Sequence, residues 1–160
     1  MRRPWEGAEL GEIEAVYRQR LGELRRVATA ITGSRDAGVD AVQEGFARAI
    51  RQRHGFRREG SIEAWLWRIV VNAARTSAAA DRPAALDERG GTTGIAEPAG
   101  LHALVGELPE RQRLALFLRY YADLDYATIA EALGVTTGTV GATLSQARDS
   151  LRRVLEEVRS

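Results

Sequence analysis

The sequence predicts an all-α fold of two small helical modules joined by a flexible linker. Apolar residues recur every three or four positions along most of its length. No segment alternates with period two over a useful span, and residues 126–146 carry the spacing of a helix-turn-helix.

The elements follow in order. From Leu10 the residues Ile13, Tyr17, Leu21, Leu24, Ala28 and Ile31 draw one stripe along a long helix that stops at Gly33. Ser34 suits the cap of a second helix, whose inward side is Val39, Val42, Phe46 and Ile50 and whose outward side is Asp40, Gln43, Glu44, Ala47 and Arg51. A charged turn, His54 to Gly60, leads to Ser61. That serine suits the cap of a third helix burying Ile62, Trp65 or Leu66, Ile69 and Ala73, with Arg68, Asn72 and Arg75 on another side. Residues 79–100 collect Pro, Gly, Thr and Ala without a sustained period and read as the linker. In the second module Pro109 fits the first turn of a helix carrying Leu114, Phe117, Leu118 and Tyr121. After a turn at Asp123 to Asp125 come the helix-turn-helix and a last helix through Leu151, Leu155 and Val158.

Composition bounds the function. The 160 residues contain no cysteine, so disulfides and thiolate metal sites are excluded and a reducing compartment is permitted. No stretch approaches the roughly 18 apolar residues of a membrane span, so a soluble, cytoplasmic chain is expected. All 23 basic residues are arginine, which suits bidentate phosphate and base contacts. The net charge of +1 hides a basic first half: residues 1–80 carry +4, residues 81–100 carry −2 and residues 101–160 carry −1. Two distant histidines, the absence of cysteine and the lack of a glycine loop followed by lysine leave no catalytic, metal or cofactor site to propose.

Within the helix-turn-helix, Ala130 supplies the small residue where two helices cross, and Gly134 occupies a turn that needs positive φ. Val140, ten residues after Ala130, plugs the second helix onto the first. Thr136 can cap that helix, leaving Thr137 onward free to enter a major groove. The same pattern also fits a helical hairpin with no nucleic-acid role.

The segments DAVQEGFARAI (Asp40 to Ile50), FRREGSIEAWLWRIVVNAAR (Phe56 to Arg75) and LPERQRLALFLRYYADLDYATIAEALGVTTGTV (Leu108 to Val140) stand in an informative order. Together they resemble the extracytoplasmic-function (ECF) group of bacterial RNA polymerase sigma factors, in the sigma-70 family. The resemblance implies a region 2-like three-helix domain over residues 1–78, a linker over 79–100 and a region 4-like domain over 101–160. It implies a specificity subunit that binds core RNA polymerase and promoter DNA to start transcription. The polymerase contacts it implies are Asp40, Gln43, Glu44 and Arg48. For the minus-ten element, where an unstacked base must be captured, it implies Arg57, Arg58, Ser61, Trp67, Arg68, Asn72 and Arg75. Trp65, on the apolar stripe, reads as core.

For the minus-thirty-five element the resemblance implies Thr137, Thr139, Gly141, Ala142, Ser145, Gln146 and Arg148. Here the chain departs from its relatives, which commonly carry basic or bulky polar residues over 141–146. Gly138 and Gly141 also cost the helix about 1 kcal/mol each relative to alanine. Gln146 can pair with adenine, but no arginine is placed to grip guanine. Weak autonomous binding, supplemented by tethering to the polymerase, is therefore expected. The flexible linker permits the modules to fold around an anti-sigma partner. With the chain ending just past the last helix, no appended sensory domain is expected.

Two rivals remain at this point. One is a free-standing helix-turn-helix regulator acting as a homodimer, which leaves Asp40, Gln43 and Glu44 without a purpose. The other is a sigma-like protein that binds polymerase or an anti-sigma partner without promoter recognition, motivated by the depleted recognition helix.

Overall fold

The structure, a computed structural model, describes residues 6–85 and 99–159. Helices α1 (Leu10–Thr32), α2 (Arg35–Arg51) and α3 (Ile62–Ala85) pack into a three-helix module, with a single 3-10 turn at Arg53–Gly55 between α2 and α3. Helices α4 (Ala99–Gly106), α5 (Glu110–Tyr120), α6 (Tyr126–Leu133) and α7 (Thr137–Arg159) make the second module. The fold is all-α, as the hydrophobic periodicity predicts.

Local chemistry sets most helix ends. Ser34 Oγ accepts from Ala37 N at 3.3 Å, and Ser61 Oγ accepts from Ala64 N at 3.0 Å. Glu9 and Glu12 form a reciprocal capping box at the start of α1. Gly33 closes α1 in the left-handed conformation and donates to Thr29 O at 2.8 Å.

The first module is held at close range. A Cβ on Gly45 of α2 would stand 2.8 Å from Val70 Cγ2 and 3.0 Å from Val70 Cα of α3. One heptad earlier, a Cβ on Gly38 would stand 2.6 Å from Thr29 Oγ1 of α1. These two bare positions bring α2 against both neighbours. Around them Leu24, Val27, Val42, Leu66, Trp67, Val70 and Val71 are almost wholly removed from water. Tyr17 and Phe46 meet edge to face at 4.9 Å.

Three expectations change. Ile50, assigned to the inward side of α2, is 40 % exposed, and the core takes Gly45 and Ala49 instead. On α3 the buried band is broader than one stripe, because α1 and α2 cover one side and α6 covers another. Both ends of the segment expected as linker, 79–100, are helical: Ala78, Ala79 and Ala80 are strong helix formers and α3 continues to Ala85, while α4 already starts at Ala99. The rest of that linker, residues 86–98, lies outside the described residues.

Gly45→Ala should cost about 1–3 kcal/mol in chemical denaturation, since the new methyl meets the α3 backbone. Gly22→Ala, on the exposed side of α1 with open space around it, should instead stabilise by up to about 1 kcal/mol.

Candidate polymerase and nucleic-acid interfaces

Burial of Ala41, Val42, Gly45, Phe46 and Ala49 turns the opposite face of α2 to solvent. Asp40, Gln43 and Glu44 are exposed there, and Arg48 is half-buried. Glu44 Oε1 sits 3.2 Å from Arg51 Nη2 and 3.7 Å from Arg48 Nη2.

At the end of α2 the chain makes its 3-10 turn and buries Phe56, whose ring lies 5.1 Å from that of Trp65. Arg51, Gln52, His54, Gly55 and the half-buried Trp65 line an open pocket of about 400 Å³. Arg57, next in the chain after Phe56, is exposed. Trp67 is fully buried in the three-helix core, so the expectation that it meets DNA is overturned. Of the two tryptophans of α3, the one that reaches the surface is the half-buried Trp65, which the sequence had assigned to the core. Arg58 is also corrected as a DNA contact: its guanidinium is held by both oxygens of Glu12 and by two backbone carbonyls, leaving the side chain 20 % exposed.

Arg68, Asn72 and Arg75 share an exposed strip of α3. The second module lies along it. Arg75 is ion-paired with Glu110 of α5, and the Arg68 guanidinium lies against Gly134. Ser61, whose hydroxyl caps α3, donates its backbone N–H to Glu131 of α6 at 3.3 Å. The same carboxylate stands over Gly60.

In the helix-turn-helix, Asp125 Oδ1 caps α6 by accepting from Thr128 N at 2.8 Å. Gly134 takes φ 69, Val135 N closes back on Ala130 O, and Thr136 Oγ1 accepts from Thr139 N at 3.1 Å to start α7. Ala130 and Val140 are buried at the crossing. Thr137, Ala142, Ser145, Gln146 and Arg148 are exposed along α7, whereas Thr139 is half-buried with its hydroxyl 2.9 Å from that of Thr136. Gly141 is half-buried because the Tyr126 ring lies beside it. Arg148 Nε donates to Tyr120 Oη at 2.9 Å, and Arg119 lies 5.9 Å from the centre of the Tyr126 ring. Among the described residues no group of three or more His, Asp or Glu is placed to hold a metal ion. No described helix is long and apolar enough to cross a membrane.

Comparison with known proteins gives this geometry its frame. Residues 16–82 match the family described as Sigma-70 region 2, and residues 99–151 match Sigma-70, region 4. The ECF RNA polymerase sigma-E factor of Escherichia coli (strain K12) is 31 % identical over 134 residues, covering 70 % of each chain. The chain belongs to the ECF RNA polymerase sigma factors. The ECF sigma factor EcfG of Rhodopseudomonas palustris (strain TIE-1) is 29 % identical over 142 residues, covering 82 % of this chain and 78 % of EcfG. In fold, the sigma factor resembles RpoE of Bartonella quintana, solved in complex with the anti-sigma factor NepR. The TM-score is 0.69 at 21 % identity, covering 92 % of this chain and 98 % of that one. CnrH, solved with the cytosolic domain of CnrY, matches with a TM-score of 0.71 at 21 % identity, covering 91 % and 88 %.

Sequence reasoning missed Trp65, Tyr120 and Tyr126 as surface groups of this sigma factor. Tyr120 and Tyr126 are 58 % and 37 % exposed, and both flank Arg148. Their signal was available: aromatic residues bracketing the polar turn YYADLDY have no apolar stripe to join.

The cap on α6 yields a pH-dependent test. Hydrogen bonds from the Thr128 side chain, then from its backbone N–H, hold the Asp125 carboxyl below its ordinary value. A group lowered on folding contributes fully above the unfolded pKa of about 4 and loses that contribution as pH falls through the folded value. Asp125→Ala should therefore cost about 1 kcal/mol at neutral pH. Thermal melts of the two proteins should converge in acid.

Proposed function

We propose how the surfaces of this RNA polymerase sigma factor divide the work of transcription initiation. The outward face of α2, with Asp40, Gln43, Glu44 and Arg48, docks on core polymerase. The loop from Arg53 to Ser61 receives an unstacked base of the minus-ten element, with Arg57 and the α3 strip of Arg68, Asn72 and Arg75 following the strand. Trp65 replaces Trp67 as the aromatic group at this surface. Helix α7 meets the minus-thirty-five duplex through Thr137, Ala142, Ser145 and Gln146, with Arg148 on phosphate.

The observation that carries the reading is the α2 face. Asp40, Gln43 and Glu44 stand at spacings of three and four on one side of a helix whose other side is committed to the core. Surface pairs such as Glu44 with Arg48 or Arg51 are worth at most about 1 kcal/mol, so a partner rearranges them at little cost. In this proposal the factor contributes binding and no catalysis, works in the cytoplasm, and divides into a polymerase-binding module ending with α3 and a duplex-binding module beginning with α4. An anti-sigma partner, as found with RpoE, belongs to the proposal too.

The first test is co-elution with purified core RNA polymerase. Wild type should co-elute, and Asp40→Arg combined with Glu44→Arg should weaken binding at least about ten-fold, the effect of about 1.4 kcal/mol. An unfolding midpoint within error of wild type shows that the fold is intact. A wild-type protein that ignores core polymerase would sink the docking assignment.

The arrangement of the modules adds a second expectation. Ser61, Arg68 and Arg75 are exposed but each touches the second module, so minus-ten DNA competes with that module for them and gains when the modules separate. Glu110→Ala with Glu131→Ala removes two polar ties of about 0–1 kcal/mol each and should raise affinity for single-stranded minus-ten DNA by up to about thirty-fold. Small-angle scattering should show a larger radius of gyration for the free variant, and an unchanged radius would count against the proposed closure.

A further inference from the structure

The loop between α2 and α3 is gripped from the far end of the chain. Arg58 adopts φ 55, in the left-handed region that a residue with a Cβ enters only when its surroundings compel it. Its guanidinium then makes a set of charge-assisted bonds. Nη1 and Nη2 donate to Glu12 Oε1 and Oε2 at 3.2 and 2.8 Å, a two-pronged grip on one carboxylate. Nε donates to Glu6 O at 3.0 Å and Nη2 to Gly7 O at 2.9 Å. Both partners are about four-fifths shielded, with side-chain exposures of 20 % and 22 %, unlike the solvent-facing pairs on α2.

A second, backbone contact reinforces the first. Ala8 N donates to Arg53 O at 2.7 Å, and Gly7 packs so tightly on the Arg53 carbonyl and His54 Cα that a Cβ would overlap both. The grip also reaches the pocket. The Arg58 guanidinium lies 5.6 Å from the centre of the Phe56 ring, and Phe56 in turn packs on Trp65, which lines the pocket with Arg51, Gln52, His54 and Gly55. A loop ordered beforehand spares DNA binding the entropy of ordering it.

We propose that Arg58, Glu12 and Gly7 are positioning residues: they latch the Arg53–Gly60 loop in the shape that receives an unstacked promoter base, and make no DNA contact themselves. This inference rests on the minus-ten role proposed for that loop. Arg58 enters it as the group that shapes the loop, in place of the phosphate contact expected from sequence.

Glu12→Gln is the sharpest variant, because glutamine at this position keeps the α1 capping box but gives up the two-oxygen grip on Arg58. Gly7→Ala attacks the latch from its backbone side without altering either charged residue. Hydrogen exchange on the free proteins should show amides of residues 53–60 exchanging about ten-fold faster in both variants, with α2 unchanged. Holoenzymes assembled with each variant should keep core affinity and lose about ten-fold in open-complex formation, a change of about 1.4 kcal/mol. The readout is 2-aminopurine fluorescence on genomic promoter fragments selected by the wild-type holoenzyme. If one variant does not fold, the other carries the test. Unchanged loop exchange would overturn the latch, and so would faster exchange with normal promoter opening. A wild-type holoenzyme that opens no genomic fragment would overturn the promoter reading itself, while the exchange arm still decides whether the latch orders the loop.

Discussion

The contact between Val70 and the bare backbone of Gly45 governs how the rest of the molecule is used. It sets α3 close against α2 and fixes its rotation about its own axis. That rotation selects which tryptophan is available. Trp65 and Trp67 stand about 200° apart on a helix of 3.6 residues per turn, so burying one presents the other. With α1 and α2 on one side and α6 on another, α3 keeps a polar strip that holds the three residues assigned to DNA there, together with Thr76. The α2 face is a product of the same packing, because Ala41, Val42, Phe46 and Ala49 are spent on its neighbours.

Much of this was legible from local chemistry. Ser34, Ser61 and Thr136 cap the helices they appear to cap, and Gly33 and Gly134 take the left-handed turns that their positions call for. Ala130 and Val140 form the crossing of the helix-turn-helix. Each of these depends on residues within about a turn or two of one another, which a linear reading samples well. The errors share the opposite property. Arg58 looked like a phosphate ligand because its partner lies 46 residues away in the sequence. The two tryptophans of α3 were exchanged because the contact with Gly45 of α2 sets the rotation of α3, and nothing near Trp65 announces that. The alanines that prolong α3 sit among Pro- and Gly-rich neighbours whose composition outweighed their helix propensity. Contacts between the modules left no trace in periodicity at all.

The two modules have unequal means of holding a promoter. The first places Arg51, Arg53, Arg57 and Arg58 and its aromatic pocket around one loop, whereas the second has neutral side chains over residues 141–146. Its cations sit at the edges, with Arg148 and Arg119 each drawn onto a tyrosine. A module so arranged gains little from any one base, and geometry imposed by the polymerase has to supply the rest.

The seat that Glu131 occupies at the start of α3 has one more consequence. A carboxylate on the backbone N–H of Ser61, together with Glu110 on Arg75, puts protein anions where the proposed minus-ten DNA would bring phosphates. Arg75 and the first turn of α3 are already occupied before any promoter arrives. Exchanging one anion for another releases fewer counterions than coating bare arginines with nucleic acid. On the proposed promoter face, affinity would then decline with ionic strength less steeply than the number of arginines suggests, because salt loosens the intramolecular occupant along with the DNA.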